Sequence, residues 1–164
     1  MTEQMHQFYV SAKAVILNGP NVLLLQRERD GGRWWNVPGG RLSGQEDIEE
    51  GLERELNEEL GLTVQDYIVG PLLAANRIPD FPNGVGLVTL LYEVRLVTFP
   101  VKFRLSEESV AWAWVARAAA PDRVAKGSGC PWGVRQAQAD VLDEALFRHE
   151  IALPDQAPFT EAQS

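Results

Sequence analysis

Between Gly40 and Leu62 the chain reads Gly40-Arg-Leu-Ser-Gly-Gln-Glu46-Asp-Ile-Glu-Glu-Gly-Leu-Glu-Arg54-Glu55-Leu56-Asn-Glu58-Glu59-Leu-Gly61-Leu62. Within it, Glu55, Glu58 and Glu59 have the types and the spacing for joint chemistry. On a helix turning about 100° per residue, with Glu55 set at zero, Glu59 falls at about 40° and Glu58 at about -60°, so the three carboxylates share one face. Leu52 and Leu56 fall at roughly 60° and roughly 100° on the same wheel, which puts the acidic patch at the edge of the core. Carboxylates crowded in this way repel one another and tend to hold protons unless a cation sits among them. Clustered hard oxygen ligands select Mg²⁺, Mn²⁺ or Ca²⁺ over softer metals. Arg54, four residues after Glu50 and four before Glu58, is spaced to pair along the helix surface and hold the patch in register. A run of acidic residues is ordinarily only a solvated helix face. This one differs in its frame, with Pro38-Gly39-Gly40 before it and Gly61-Leu62 after it.

The framed segment resembles, position for position, the Nudix box: Gly, five residues, Glu, seven residues, then Arg-Glu-apolar-x-Glu-Glu-x-Gly-apolar. Trp35-Asn36-Val37-Pro38-Gly39-Gly40 also resembles the family's approach to the box helix, and the likeness extends loosely over residues 8–115. The resemblance implies an α/β (α+β) Nudix fold, a mixed β-sheet sandwiched between α-helices with a loop-helix-loop catalytic motif. It implies hydrolysis of a phosphoanhydride bond in a nucleoside diphosphate linked to another group. Glu55, Glu58 and Glu59 would be the metal ligands, helped by the carbonyl of Gly39 or Gly40, with Mg²⁺ as the ion and Mn²⁺ as its substitute. Arg54 and Glu46 would support them. The proton acceptor differs among family members, so Glu55, which is favoured, competes with Glu107 and Glu108; the latter two also read as ordinary surface acids. Two departures from the family pattern concern the loop and helix. Gln45 stands where Gly is frequent, and Gly51 stands inside the helix at a cost of about 1 kcal/mol relative to Ala.

The positioning elements follow from periodicity. Residues 8–17 and 22–27 are rich in Val, Ile and Leu and are joined by Gly19, Pro20 and Asn21, a pattern that predicts a β-hairpin. Glycines and Pro38 crowd Arg29 to Gly44 and predict a sharply bent loop. Ile48, Leu52, Leu56 and Leu60 predict a helix over 47–60 that stops at Gly61. Further strands are expected at Leu72–Ala75, Val85–Val97, Val101–Leu105 and Val110–Val115, with Trp112 and Trp114 on one face. Trp35, Trp112 and Trp114 are expected in the core. Pro79 to Gly84 and Pro121 to Gly133 read as loops, and Val134 to His149 as a helix packed on the sheet. Residues 1–153 are expected to form a single domain and 154–164 a flexible tail. His6 and His149 read as exposed.

The formal charge of -8 argues against a polynucleotide partner and means that a phosphate-bearing ligand needs local cations. One cysteine, Cys130, excludes an internal disulfide and a Cys zinc cluster. With no signal-like segment and no apolar run of about 18 residues, the expectation is a cytoplasmic protein without a membrane partner; monomer and homodimer stay open. Substrate contacts are sought outside the box, at Arg27, Arg29, Arg33, Trp34, Arg77, Asp80 and Phe81. The arginines suit phosphate and the aromatics suit a base, although such residues are ordinarily just solvated or packed. Ordinary or oxidised (deoxy)nucleoside triphosphates rank first, because the long N-terminal region of the sugar-nucleotide branch is missing. Nucleotide sugars, ADP-ribose and dinucleoside polyphosphates follow. A non-catalytic nucleotide-binding module ranks last, since all the box glutamates are present.

Overall fold

Gly19 and Pro20 turn the first two apolar runs back on each other, so that β1 (Phe8–Asn18) pairs antiparallel with β2 (Asn21–Arg29). This computed structural model describes residue 3 and residues 5–79, 84–97, 102–130 and 132–152. After the hairpin come β3 (Gly32–Asn36), β4 (Gly39–Arg41), α1 (Ile48–Leu60), β5 (Tyr67–Ile78), β6 (Gly86–Leu96), β7 (Ser109–Ala116), α2 (Ala120–Ala125) and α3 (Trp132–Ala152). The strands run β3-β2-β1-β6-β5, with β4 added to β1 and β7 to β2. β1 and β6 are parallel and the other pairs antiparallel, which makes the sheet mixed.

Alternation along β1 divides the interior in two. Val15 and Leu17 join the core under α2 and α3, with Leu142, Ala145 and Leu146. Ala12, Ala14 and Ile16 face the other way and meet Leu52, Leu56 and Leu60 of α1. The sheet therefore lies between helices, as the resemblance implied. α1 is fixed at both ends by its own sequence. Asp47 accepts from the Glu50 backbone N–H at 2.9 Å, Glu50 accepts from the Asp47 N–H at 3.2 Å, and Gly61 closes the helix at a left-handed φ of 71°. Gly51 is less of a defect than its helix propensity suggests. A Cβ there would run into Leu42 and come within 3.1 Å of Glu46 Oε1.

Several elements differ from the sequence expectation. The stretch 29–44 is not one loop: β3 and β4 lie in it, because glycine-rich chain can still pair with β2 and β1. The strand expected at Leu72–Ala75 runs from Tyr67 to Ile78, passing Gly70 and Pro71 through irregular register. The strand expected at Val101–Leu105 is absent over its described part, where Phe103 and Leu105 pack against the α1-side core without a ladder. Pro121 to Gly133 holds α2, whose six residues are too short to show a period. Trp112 is 38% exposed instead of being core, while Trp35 and Trp114 pack against the two cores. His149 is buried, with Nδ1 3.2 Å from Arg117 and Nε2 3.6 Å from Glu93. The expected tail after 153 lies outside the described residues.

Candidate active site

β4 places Gly39 and Gly40 against β1 and against the inner face of α1. Gly39 has a φ of 126°, and a Cβ there would collide with the Ala12 carbonyl and Lys13. Its N–H donates to Glu59 Oε2 at 2.8 Å, and the Arg27 guanidinium, arriving from β2, donates to Glu59 Oε1. Arg27 also donates to the Gly39 carbonyl and to Glu108 Oε2, each at 3.4 Å. Glu59 is only 4% exposed, and these donors satisfy both of its carboxylate oxygens. Arg54 makes a second hub. It donates to Glu46 at 2.6 and 2.9 Å, to Glu55 Oε1 at 3.0 Å, to Glu58 Oε2 at 3.2 Å and to the Arg41 carbonyl at 3.0 Å.

Titration follows from this wiring. The Arg54 hydrogen bond holds the Glu46 carboxyl down at about 2. Burial, followed by the charge of Glu59, pushes Glu55 above its ordinary value, against the pull of Arg54. Lys13, buried in β1, is lowered to about 8 by burial and then by Arg27, while Glu59 and Glu55 oppose the fall. Burial raises the Cys130 thiol.

Of these groups, Lys13, Arg27, Glu55, Glu59 and Cys130 line one cleft of about 500 Å³, within the range of small-molecule sites. Ser11, Lys13 and Leu87 come from the sheet, and Arg27, Arg29, Trp34, Trp35 and Asn36 from the hairpin side. Gly39, Gly40, Arg41, Glu55, Glu59 and Glu108 close one wall, and Val124, Cys130, Val134, Arg135 and Gln138 another. Of the residues singled out in the sequence, Gly40, Glu55, Glu59, Glu108, Arg27, Arg29 and Trp34 are thus brought together. Glu58 stays beside them through Arg54 but is 56% exposed and does not line the cleft. Among the described residues no three acidic, His or Cys side chains form a ready metal cage, and two arginines pair with the box carboxylates. Glu107 and Arg77 are exposed away from the cleft, and Arg33 pairs with Glu28 at 2.6 Å. Asp80 and Phe81 lie outside the described residues. Sequence reasoning missed Lys13, Arg41, Arg135 and Gln138. Lys13 alone left a sign, as a single charge inside the apolar run of β1.

A family model described as NUDIX domain matches residues 8–131. The chain belongs to the Nudix family. A relative from Mycobacterium tuberculosis (strain H37Rv), named "Putative 8-oxo-dGTP diphosphatase 2", is 41% identical over 86 residues, which are 50% of this chain and 57% of the relative. The Bacillus subtilis "Uncharacterized Nudix hydrolase YvcI" is 39% identical over 59 residues, covering 36% of this chain and 34% of the relative. This chain thus spans little more than half, or less, of the curated relatives it matches. Among solved structures, a C. elegans Ap4A hydrolase in a binary complex aligns with a TM-score of 0.69 at 19% identity, over 90% of this chain and 99% of its own. A NUDIX hydrolase from Nitrosomonas europaea aligns at 0.67 and 18%, over 93% and 98%. At these identities the structural likeness establishes the Nudix fold. No helix among the described residues is long and apolar enough to cross a membrane.

Proposed function

We propose that this Nudix protein is a divalent-metal-dependent hydrolase that cuts a phosphoanhydride bond of a nucleoside diphosphate linked to another group. (Deoxy)nucleoside triphosphates, oxidised forms included, are its first substrate class. The observation that carries this reading is the charge arrangement of the cleft. In a protein of net charge -8, Lys13, Arg27, Arg29, Arg41 and Arg135 converge on the cleft that Glu55 and Glu59 also line. The cations suit phosphate oxygens, and the carboxylates suit a hard metal ion and a proton transfer. The relative named as an 8-oxo-dGTP diphosphatase favours triphosphates, and the Ap4A hydrolase fold neighbour keeps dinucleoside polyphosphates as the second reading.

The residues fit a divalent cation in their donor chemistry. All are oxygen donors, and Glu55 is raised toward protonation by burial and a like-charged neighbour, a tension that a cation relieves. Mg²⁺, with Mn²⁺ as its substitute, would be held by Glu55, Glu58 and Glu59 with the Gly40 carbonyl. It would neutralise phosphate charge and acidify a bound water. Arg54 positions Glu55 and Glu58 from their shared edge. Glu55 takes the proton from the attacking water. It is better shielded than Glu108, whose side chain is 73% exposed, and Glu107 is outside the cleft. Arg27 and Lys13 steady the phosphate chain, and Trp34 offers a face to the base.

The test is release of phosphate or pyrophosphate from nucleoside triphosphates, nucleotide sugars, ADP-ribose and dinucleoside polyphosphates with Mg²⁺ or Mn²⁺, for the natural sequence beside Glu58→Gln. Metal-dependent turnover of triphosphates that collapses in a folded Glu58→Gln variant is expected. Turnover that ignores the substitution would sink the reading.

A further inference from the structure

The sheet carries a polar row that runs from the box wall of the cleft to beneath α3. Arg41 on β4, Ser11 on β1, Thr89 on β6 and Asn76 on β5 are register partners in turn, and so form a polar row on one face of the sheet. α3 crosses the far part of this row. Asn76 Nδ2 donates to the Ala137 carbonyl at 2.9 Å, and Gln138 Nε2 donates to Thr89 Oγ1 at 3.1 Å. The second bond orients the Gln138 amide and leaves its Oε1 buried without a hydrogen-bond partner among the described residues. Gln138 is only 6% exposed, yet it lines the cleft. A buried carbonyl oxygen left unpaired is costly, and natural proteins keep few of them.

We infer that Gln138 is a specificity-determining residue whose Oε1 accepts a hydrogen bond from an exocyclic amino group of a purine base in the substrate. An acceptor repels phosphate oxygens, so this position addresses the other end of a nucleotide. Its cleft neighbours Leu87 and Val134 are apolar, and Trp34 and Trp35 line the same cleft. Those surfaces suit the faces of a planar heterocycle better than a sugar's hydroxyl-covered rim. A base whose donor meets Gln138 satisfies the oxygen. A base without that donor leaves the buried oxygen unpaired, and such a mismatch is what gives hydrogen-bonding sites strong discrimination. This inference rests on the nucleotide reading above, and names the part of the nucleotide that α3 recognises.

The experiment uses the full chain and pairs of nucleotides that differ by one donor: guanine against hypoxanthine (the 2-amino group) and adenine against purine (the 6-amino group). Hydrolysis of the triphosphates with Mg²⁺ is measured alongside calorimetric binding of the corresponding diphosphates, for the natural sequence, Gln138→Leu and Gln138→Glu. In at least one pair the amino-bearing member should win by about tenfold or more, in kcat/KM and in affinity. Gln138→Leu should bring that ratio within about threefold, mainly through KM. Gln138→Glu keeps an acceptor and should keep the preference, which also serves if Gln138→Leu fails to fold. No discrimination by the natural sequence, a preference that survives Gln138→Leu, a preference for the member lacking the donor, or selectivity that follows the ribose 2′-hydroxyl would each overturn the assignment. Gln138-dependent binding selectivity without turnover would sink the hydrolase reading and leave this one standing. Turnover without such selectivity would do the reverse, and neither binding nor turnover would remove both.

Discussion

The two helices that wall the cleft differ in how they come to be there. α1 carries its instructions locally, with a capping box at Asp47 and Glu50, a left-handed glycine at 61, leucines on one side and carboxylates three and four residues apart on the next. α3 is longer but has no comparable pattern. Its cleft residues Arg135 and Gln138 gain meaning only from what they touch: Arg135 donates to the Ala125 carbonyl at 2.6 Å and to the Cys130 carbonyl at 3.0 Å, and Gln138 donates to Thr89. On the function proposed above, the box side supplies the carboxylates that act at phosphate, and Gln138 on the α3 side selects the base. Local sequence therefore suffices for α1 and its carboxylate face, while the cleft face of α3 depends on tertiary contact.

Substitutions on the two walls should separate in kinetics. The largest effect is expected for Glu55→Gln, a fall of about 10²–10⁴ in kcat with KM little changed, since the proton-accepting role proposed for it would be exerted in the transition state. Steady-state rates over a range of substrate concentrations check this, and a loss confined to KM would erase the contrast between the walls. Arg135→Ala should act in the opposite sense. Freeing the 126–130 segment from α3 should raise KM about tenfold and leave kcat within about threefold, measured in the same assay.

Smaller effects concern how α1 is held. Asp47→Ala removes the N-cap and should cost about 1 kcal/mol of stability, read as a lower midpoint in urea with an unchanged slope. Smallest is a pH effect. Glu46 titrates at about 2 when folded, below its ordinary 4.5, so the unfolded chain binds more protons there as the pH falls. The stability it contributes is complete above about pH 4.5 and is lost as the pH falls toward 2. Glu46→Gln should therefore flatten that acid limb in a stability-against-pH series, and an unchanged limb would show that Arg54 does not hold the carboxyl.

The elements hardest to read were those lacking a period or a nearby partner. α2 is too short for helical spacing to show. Residues 102–105 have strand-like composition but pair with no strand, whereas β3 and β4, poor in strand signals, are captured by β2 and β1. Trp112, placed in the core by alternation with Trp114, is partly exposed because β7 pairs with β2 alone in the sheet. His149, which sits near a helix end, is buried by Glu93 and Arg117 from elsewhere in the chain.

By itself the sequence determined the box: its loop, its capped helix, the shared face of Glu55, Glu58 and Glu59, and the place of Arg54 beside them. Each of these depends on interactions within a few residues, which helix geometry fixes without reference to the rest of the chain. Only the tertiary structure decided that Arg27 reaches Glu59 while Arg77 points away, that Lys13 is buried at the cleft, and that Gln138, with its Oε1 buried and unpaired, is among the residues that line it. These depend on strand register and on the packing of α3 across the sheet, where residues far apart in sequence meet. No local pattern encodes such a meeting.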